Sequence, residues 1–166
     1  MKRMVLMAVT WTMCIGTSLA AELEEITGKV TSVVDGNTLE IVGTDNQTHR
    51  IFLVGIDSPE LNQEYGDKAK KLLEKLALEK NVTVRVQGKD RWGHTLAEVI
   101  IEGKIDPRIE LLKEGLAWTA EKNPLPDLEE HRAKAQQKGK GLWTQEDPTP
   151  PWIYRRQQSM MQAKSS

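Results

Sequence analysis

Apolar positions change period several times along the chain. Over residues 26–34 the period is two, with Ile26, Val30 and Val34 on one face and β-branched Thr27, Thr31 and Val33 on the other, which predicts a strand. Asp35-Gly36-Asn37 is turn chemistry, and 38–42 predicts a second strand. Gly43-Thr44-Asp45-Asn46 reads as a hairpin loop before a third strand over 48–56, and loops this short make the three strands antiparallel neighbours. From Asp67 the period becomes helical. Ala69, Leu72, Leu73 and Leu76 recur at i, i+3, i+4 and i+7, so a helix capped by Asp67 is predicted to about Glu79. Segment 82–86 alternates again, 88–93 reads as a loop, and 96–101 returns as a strand. Asp106-Pro107 supplies an N-cap with proline at the first helical position. Ile109, Leu112 and Leu116 form that helix's apolar face, and Gly115 stands where it should stop. A polar helix follows over 128–137, and Leu142-Trp143 is expected to dock behind it on the core. Five strands with an inserted helix and two later helices predict an α+β chain around a small closed barrel, and an OB-type barrel has five strands.

The N-terminus has a different character. Lys2 and Arg3 precede a mostly apolar run of 12 residues, 4–15, and then the small-residue stretch Gly16-Thr17-Ser18-Leu19-Ala20. This is the order of a secretory signal peptide, with cleavage expected between Ala20 and Ala21. A permanent span would need about 20 apolar residues. The reading divides the chain into a signal peptide (1–20), a folded domain (21–146) and a Pro-rich C-terminal segment ending in a disordered tail (147–166). The product is expected to be exported, to the periplasm or outside the cell, with no stable membrane span, and to be monomeric.

The full chain has 166 residues and a formal net charge of −1, and removing Lys2 and Arg3 leaves 21 basic against 24 acidic residues, a net of −3. That excludes a protein holding nucleic acid by bulk charge. The only cysteine, Cys14, falls inside the predicted signal, so an internal disulfide and a cysteine zinc site are excluded. His49 and His131 have no partners at metal-ligand spacing. Trp118, Trp143 and Trp152 read as packing residues, with Trp152 and Tyr154 as anchors of the C-terminal segment.

Several motifs occur in a fixed order. Val33-Val34-Asp35-Gly36-Asn37-Thr38-Leu39 resembles the V-[IV]-D-G-D-T-[VL] motif of the staphylococcal nuclease (thermonuclease) family. Val54-Gly55-Ile56-Asp57-Ser58-Pro59-Glu60 resembles its G-I-D-[AT]-P-E motif, and Asp90-Arg91-Trp92-Gly93-His94-Thr95-Leu96-Ala97 resembles D-[RK]-Y-G-R-x-L-A. Leu112-Lys113-Glu114-Gly115-Leu116-Ala117 and Gly139-Lys140-Gly141-Leu142-Trp143 match two later segments. The resemblance spans residues 26–143 and implies an OB-fold barrel with three helices. It also implies a site in which one Ca²⁺ sits between two carboxylates and a backbone carbonyl, a Glu acts on the attacking water, and two Arg side chains hold the phosphate. A hard cation with oxygen ligands, plus charge clamps on a developing phosphorane, is the chemistry of phosphodiester hydrolysis.

Carried over residue by residue, the resemblance makes Asp57 a metal ligand, Ser58 the carbonyl ligand, Asp35 a nearby outer carboxylate and Glu60 the residue that acts on the attacking water. Three positions depart from the pattern. The second metal aspartate is Asn37, the first arginine is Phe52, and the second arginine is His94. Asn keeps an oxygen but removes a charge, so calcium binding is expected to be weak or absent. Phe cannot clamp a phosphate, and losing one such group commonly costs about 10²–10³ in rate. His94 is mostly neutral above a pKa of about 6.5. Two rescues remain open. Arg50, on the same strand face as Phe52, could swing toward the site, or it could pair with Glu40. His94 could protonate beside a carboxylate and serve as a weaker clamp. Arg91 is the candidate phosphate contact. The family's substrate-stacking tyrosines have no counterpart, since Glu121-Lys122-Asn123 stands there. Two readings follow. One is a degenerate, impaired nuclease acting as a binding module for single-stranded nucleic acid, a nucleotide or a protein. The other is a weak Ca²⁺-dependent nuclease using Asp57, Glu60, His94 and Arg50. The balance favours the first.

Overall fold

The computed structural model describes residues 24–165; the predicted signal peptide, with Cys14, lies outside them. In chain order the elements are β1 (Glu25–Val33), β2 (Thr38–Gly43), β3 (Thr48–Leu53), β4 (Ile56–Asp57), α1 (Gly66–Ala77), β5 (Asn81–Lys89), β6 (Thr95–Ile101), α2 (Pro107–Lys113), β7 (Trp118–Thr119), α3 (Pro126–Gln137), a 3₁₀ turn (Gly141–Thr144) and α4 (Pro151–Ser165). Five strands close into a barrel in the order β1-β2-β3-β6-β5. The pairs are antiparallel except β3–β6, which is parallel. Alternate residues fill the barrel, with Val30, Leu39, Ile41, Ile51, Val84, Val99 and Ile101 fully buried. Helix α1 lays Ala69, Leu73 and Ala77 on the same core.

The expected α+β barrel is therefore present, with four helices where three were predicted. The fourth is α4, which runs from the Pro-rich C-terminal segment through the stretch from Gln157 expected to be disordered. Proline suits the first turn of a helix, and the run from Trp152 onward contains no Gly or Pro to stop one. Three local departures have clear causes. A β-bulge between Val30 and Ser32 shifts the phase of β1, so Val33 joins Val30 in the core, although strict alternation puts them on opposite faces. The predicted third strand breaks at Gly55, whose φ of 85° is left-handed. The chain leaves the barrel there, and Ile56-Asp57 pairs instead with Trp118-Thr119 of β7. Helix α1 begins at Gly66 without a side-chain cap, so Asp67 lies inside its first turn rather than before it. At α2 the expected cap is present, because Asp106 accepts the Arg108 N–H at 2.9 Å.

The sequence gives no sign of a charge in the core, yet Arg108 is 5% exposed. Its Nε and Nη2 bond Asp106, Nη2 reaches Glu98 at 2.9 Å, and Nη1 donates to the Val54 carbonyl at 3.2 Å. The guanidinium thus ties α2 and β6 to the residue before the Gly55 turn. Removing one member of a buried, hydrogen-bonded ion pair strands the other charges. Arg108→Ala is expected to cost about 3–5 kcal/mol of stability, measured by urea unfolding.

Candidate active site

The loop between β1 and β2 is set by Asp35, whose Oδ1 accepts the Asn37 N–H at 2.7 Å. This local turn aims the Asn37 side chain at residue 58. There its Oδ1 accepts the Ser58 N–H at 2.7 Å, and its Nδ2 donates to the Ser58 carbonyl at 3.3 Å. Ser58 Oγ donates to the Gly36 carbonyl at 3.1 Å. One amide therefore clasps both backbone groups of a fully buried residue. A carboxylate could accept from the N–H but could not donate to the carbonyl.

Asp57 is fixed by the β4–β7 pair directly before this clasp. Glu60 follows Pro59 and opens a tight loop into α1. Its N–H bonds the Gln63 Oε1 at 3.3 Å, and the Gln63 N–H returns to the Glu60 carbonyl at 2.8 Å. Gly66 is required at the end of this loop, because a Cβ there would lie 2.0 Å from the Glu60 carbonyl oxygen. The β4–β7 pair and this tight loop hold the two carboxylates on one side of the barrel.

Their partner comes from α4. Arg155 Nη1 donates to Asp57 Oδ1 at 3.0 Å and to Glu60 Oε1 at 2.7 Å, while Nη2 donates to Asp57 Oδ2 at 2.7 Å. The Asp57 side chain is 17% exposed and that of Arg155 48%. Burial pushes the Asp57 carboxyl above its ordinary value. Arg155 opposes the shift, and the neighbouring Glu60 and Asp35 charges add to it. The bonds it donates to Asp57 foremost, with that to Glu60, raise the guanidinium's pKa above its ordinary value, against an opposing burial penalty.

The two positions where the resemblance implies arginines pack against each other. Phe52 pairs with Thr38 across β2–β3, and its ring stacks on His94 with centroids 4.5 Å apart and planes 25° apart. His94 Nδ1 lies 2.7 Å from Asp90 Oδ2. Asp90 Oδ1 accepts the backbone N–H of both His94 and Trp92, at 2.9 and 2.8 Å. Burial acts to raise the Asp90 carboxyl, but the bonds from His94 and Trp92 outweigh it and hold it below its ordinary value. Trp92 is 68% exposed, with the Arg91 guanidinium 4.0 Å from its ring centroid and His94 6.2 Å away.

Asp35, Asn37, Asp57, Ser58 and Glu60 thus gather in one place, with Phe52, His94 and Arg91 grouped at the mouth of the β5–β6 loop. Arg50 takes the other course considered for it. It faces Glu40 across β2–β3, with Nε 3.8 Å from Oε1, and the cation on Asp57 is Arg155 instead. Sequence reasoning missed Arg155 because it gave the Pro-rich C-terminal segment two anchoring aromatics but no helix and no role at the site. The available signal was Pro151 followed by anchoring Trp152 and Tyr154, a helix start carrying its own docking residues.

The family described as staphylococcal nuclease homologue matches residues 50–145, more than half of the chain. A Haemophilus influenzae protein named "Uncharacterized endonuclease" is 36% identical over 145 residues, covering 87% of this chain and 81% of that protein. An Escherichia coli O157:H7 protein of the same name is 36% identical over 132 residues, covering 79% of this chain and 86% of its own. The "Micrococcal nuclease" of Shigella flexneri is 29% identical over 140 residues, covering 78% and 80%. With the barrel, the ordered motifs and these likenesses together, the chain belongs to the staphylococcal nuclease homologue family.

Proposed function

We propose that this protein is an exported, monomeric member of the family that has lost most catalytic power and binds single-stranded nucleic acid without a metal. The observation that carries the reading is the clasp between Asn37 and Ser58. Calcium takes six to eight oxygen ligands and owes its affinity to ligand charge and count. Here the Asn37 oxygen is uncharged and accepts the Ser58 N–H, while the Ser58 carbonyl accepts from the same amide. Asp57 and Glu60 face a guanidinium. Among the described residues, no group of three or more His, Cys, Asp or Glu side chains is arranged to hold a metal ion. This donor set does not fit calcium, and Phe52 and His94 offer a stacked pair of rings where a phosphate would need two charged forks.

Binding is supported by the β5–β6 loop. It connects the fourth and fifth barrel strands, and that loop is one by which OB barrels hold oligonucleotides. An exposed Trp92 with Arg91 against it offers a face for a base and a charge for a phosphate. A net charge of −3 without the signal segment makes such contact local rather than general. Export is supported by the N-terminal pattern of charge, apolar run and small residues. Among the described residues, no helix is long and apolar enough to cross a membrane. The retained Asp57 and Glu60 favour the second reading, a weak calcium-dependent nuclease.

Purified protein incubated with single-stranded DNA and RNA, in calcium or in chelator, separates the two. Equal binding in both conditions and no cleavage are expected. Trp92→Ala should weaken binding by about tenfold to a hundredfold, since stacking is worth about 1–3 kcal/mol per base. Calcium-dependent cleavage abolished by Glu60→Ala would overturn the reading in favour of the enzyme.

Restoring Asn37→Asp, Phe52→Arg and His94→Arg together should create calcium-dependent cleavage, or raise it by at least about 10². Calcium binding by the triple variant without any cleavage would show that these residues do not form the site.

A further inference from the structure

Helix α4 is attached to the site face at points on both sides of the two carboxylates. Before it, Gln63 Nε2 donates to the Thr149 carbonyl at 2.6 Å. In its first turn Trp152 packs edge-on against Trp118, the β7 partner of Asp57, with centroids 5.7 Å apart. Tyr154 Oη donates to the Asn62 carbonyl at 3.1 Å, and Arg156 Nη2 reaches Glu121 at 3.0 Å. Between these anchors Arg155 closes on Asp57 and Glu60 with three bonds. Beyond Tyr154 the described side chains of the helix are exposed. The anchors named here lie in its first turn and a half, centred on Arg155.

Both carboxylate oxygens of Asp57 accept from this guanidinium, and Glu60 accepts from the same nitrogen that serves Asp57 Oδ1. A planar fork on a carboxylate is a strong, directional contact. It also takes the oxygens that a divalent ion would need, so the two cations exclude each other. We propose that α4 is a resident lid on this pocket and that Arg155 is the internal cation holding it shut. A divalent ion or a phosphodiester reaches Asp57 and Glu60 only when Arg155 leaves. This goes beyond the binding reading and does not depend on it, because the binding surface at Trp92 lies outside the pocket.

Amide hydrogen exchange on the full chain tests the lid, comparing wild type with Arg155→Gln and Asp57→Asn. The exposed position of Arg155 makes a folded variant the expected result. Amides of 154–160 should exchange at least about tenfold faster in both variants, while the barrel strands keep their protection. Calorimetry tests the competition. Asn37→Asp alone is compared with Asn37→Asp plus Arg155→Gln, using calcium as the probe, and the double variant should bind at least about tenfold tighter. Wild-type α4 amides exchanging at unprotected rates would overturn the proposal. So would a calcium affinity, or a lack of one, that is the same in the single and double variants. Cleavage by the wild type bears on the binding reading alone and leaves both of these measurements to decide the lid.

Discussion

A carboxylate that is mostly withdrawn from water needs a cation, and Asp57 is such a group. Its position is not negotiable. The left-handed turn at Gly55 takes the chain out of the barrel, β4 pairs with β7, and Asp57 is set down beside Asp35 and Glu60. Leaving that charge unmatched would cost on the order of several kcal/mol. The match comes from 98 residues away, as the forked guanidinium of Arg155. The docking of α4, the orientation of Glu60 and the composition of the pocket all follow from this one requirement.

Seen from Asp57, the other unusual residues form one consistent set. An aspartate at position 37 would place a further negative charge among the three already present, with its oxygens against the Ser58 carbonyl. That arrangement needs a metal between them. The amide of Asn37 turns the same contact into two hydrogen bonds and adds no charge. Phe52 and His94 fit the same logic. Two guanidiniums held together there would repel unless an anion lay between them, whereas two stacked rings hold their geometry unaided. Asp90 then fixes His94 through its Nδ1, with the Asp90 carboxyl held below its ordinary value by the bonds from His94 and Trp92. Asn37, Phe52 and His94 each find a partner within the chain.

The barrel was legible because its signals are local and repeated. Period-two runs, turn dipeptides and the Asp106-Pro107 helix start each specify backbone without reference to the rest of the fold. The failures occurred where a distant contact decides. Val33 turns inward because of a bulge that alternation cannot register. The third strand ends early because Ile56-Asp57 finds a partner some 60 residues later, in β7. Arg108 reads as an ordinary charged helix residue until Glu98 and the Val54 carbonyl converge on it. The site divided in the same way. Motif order picked out Asp35, Asn37, Asp57, Ser58 and Glu60, and the three departures from the family pattern were visible as substitutions. Arg155 was not, because no motif includes it and its role exists only once α4 has folded back. For Arg50, pairing across the strand to Glu40 was the nearer option, and register favours a direct neighbour over a reach up the strand.

The sign of the charge left in the pocket bears on what can open it. Asp35, Asp57 and Glu60 outnumber Arg155, so the pocket stays net negative even with the lid shut. A phosphodiester approaching it meets repulsion, and would have to displace Arg155 from Asp57 and Glu60. A cation faces the opposite field and can take over the carboxylates as Arg155 withdraws. Affinity for a cation and release of α4 are therefore linked with the same sign, each favouring the other by an equal free energy. Nucleic acid gains nothing by entering. The proposed contact for it is the ring of Trp92 with the charge of Arg91, on the β5–β6 loop. The proposed base-binding face and the pocket can then act independently, since the pocket's occupant, Arg155, is already part of the chain.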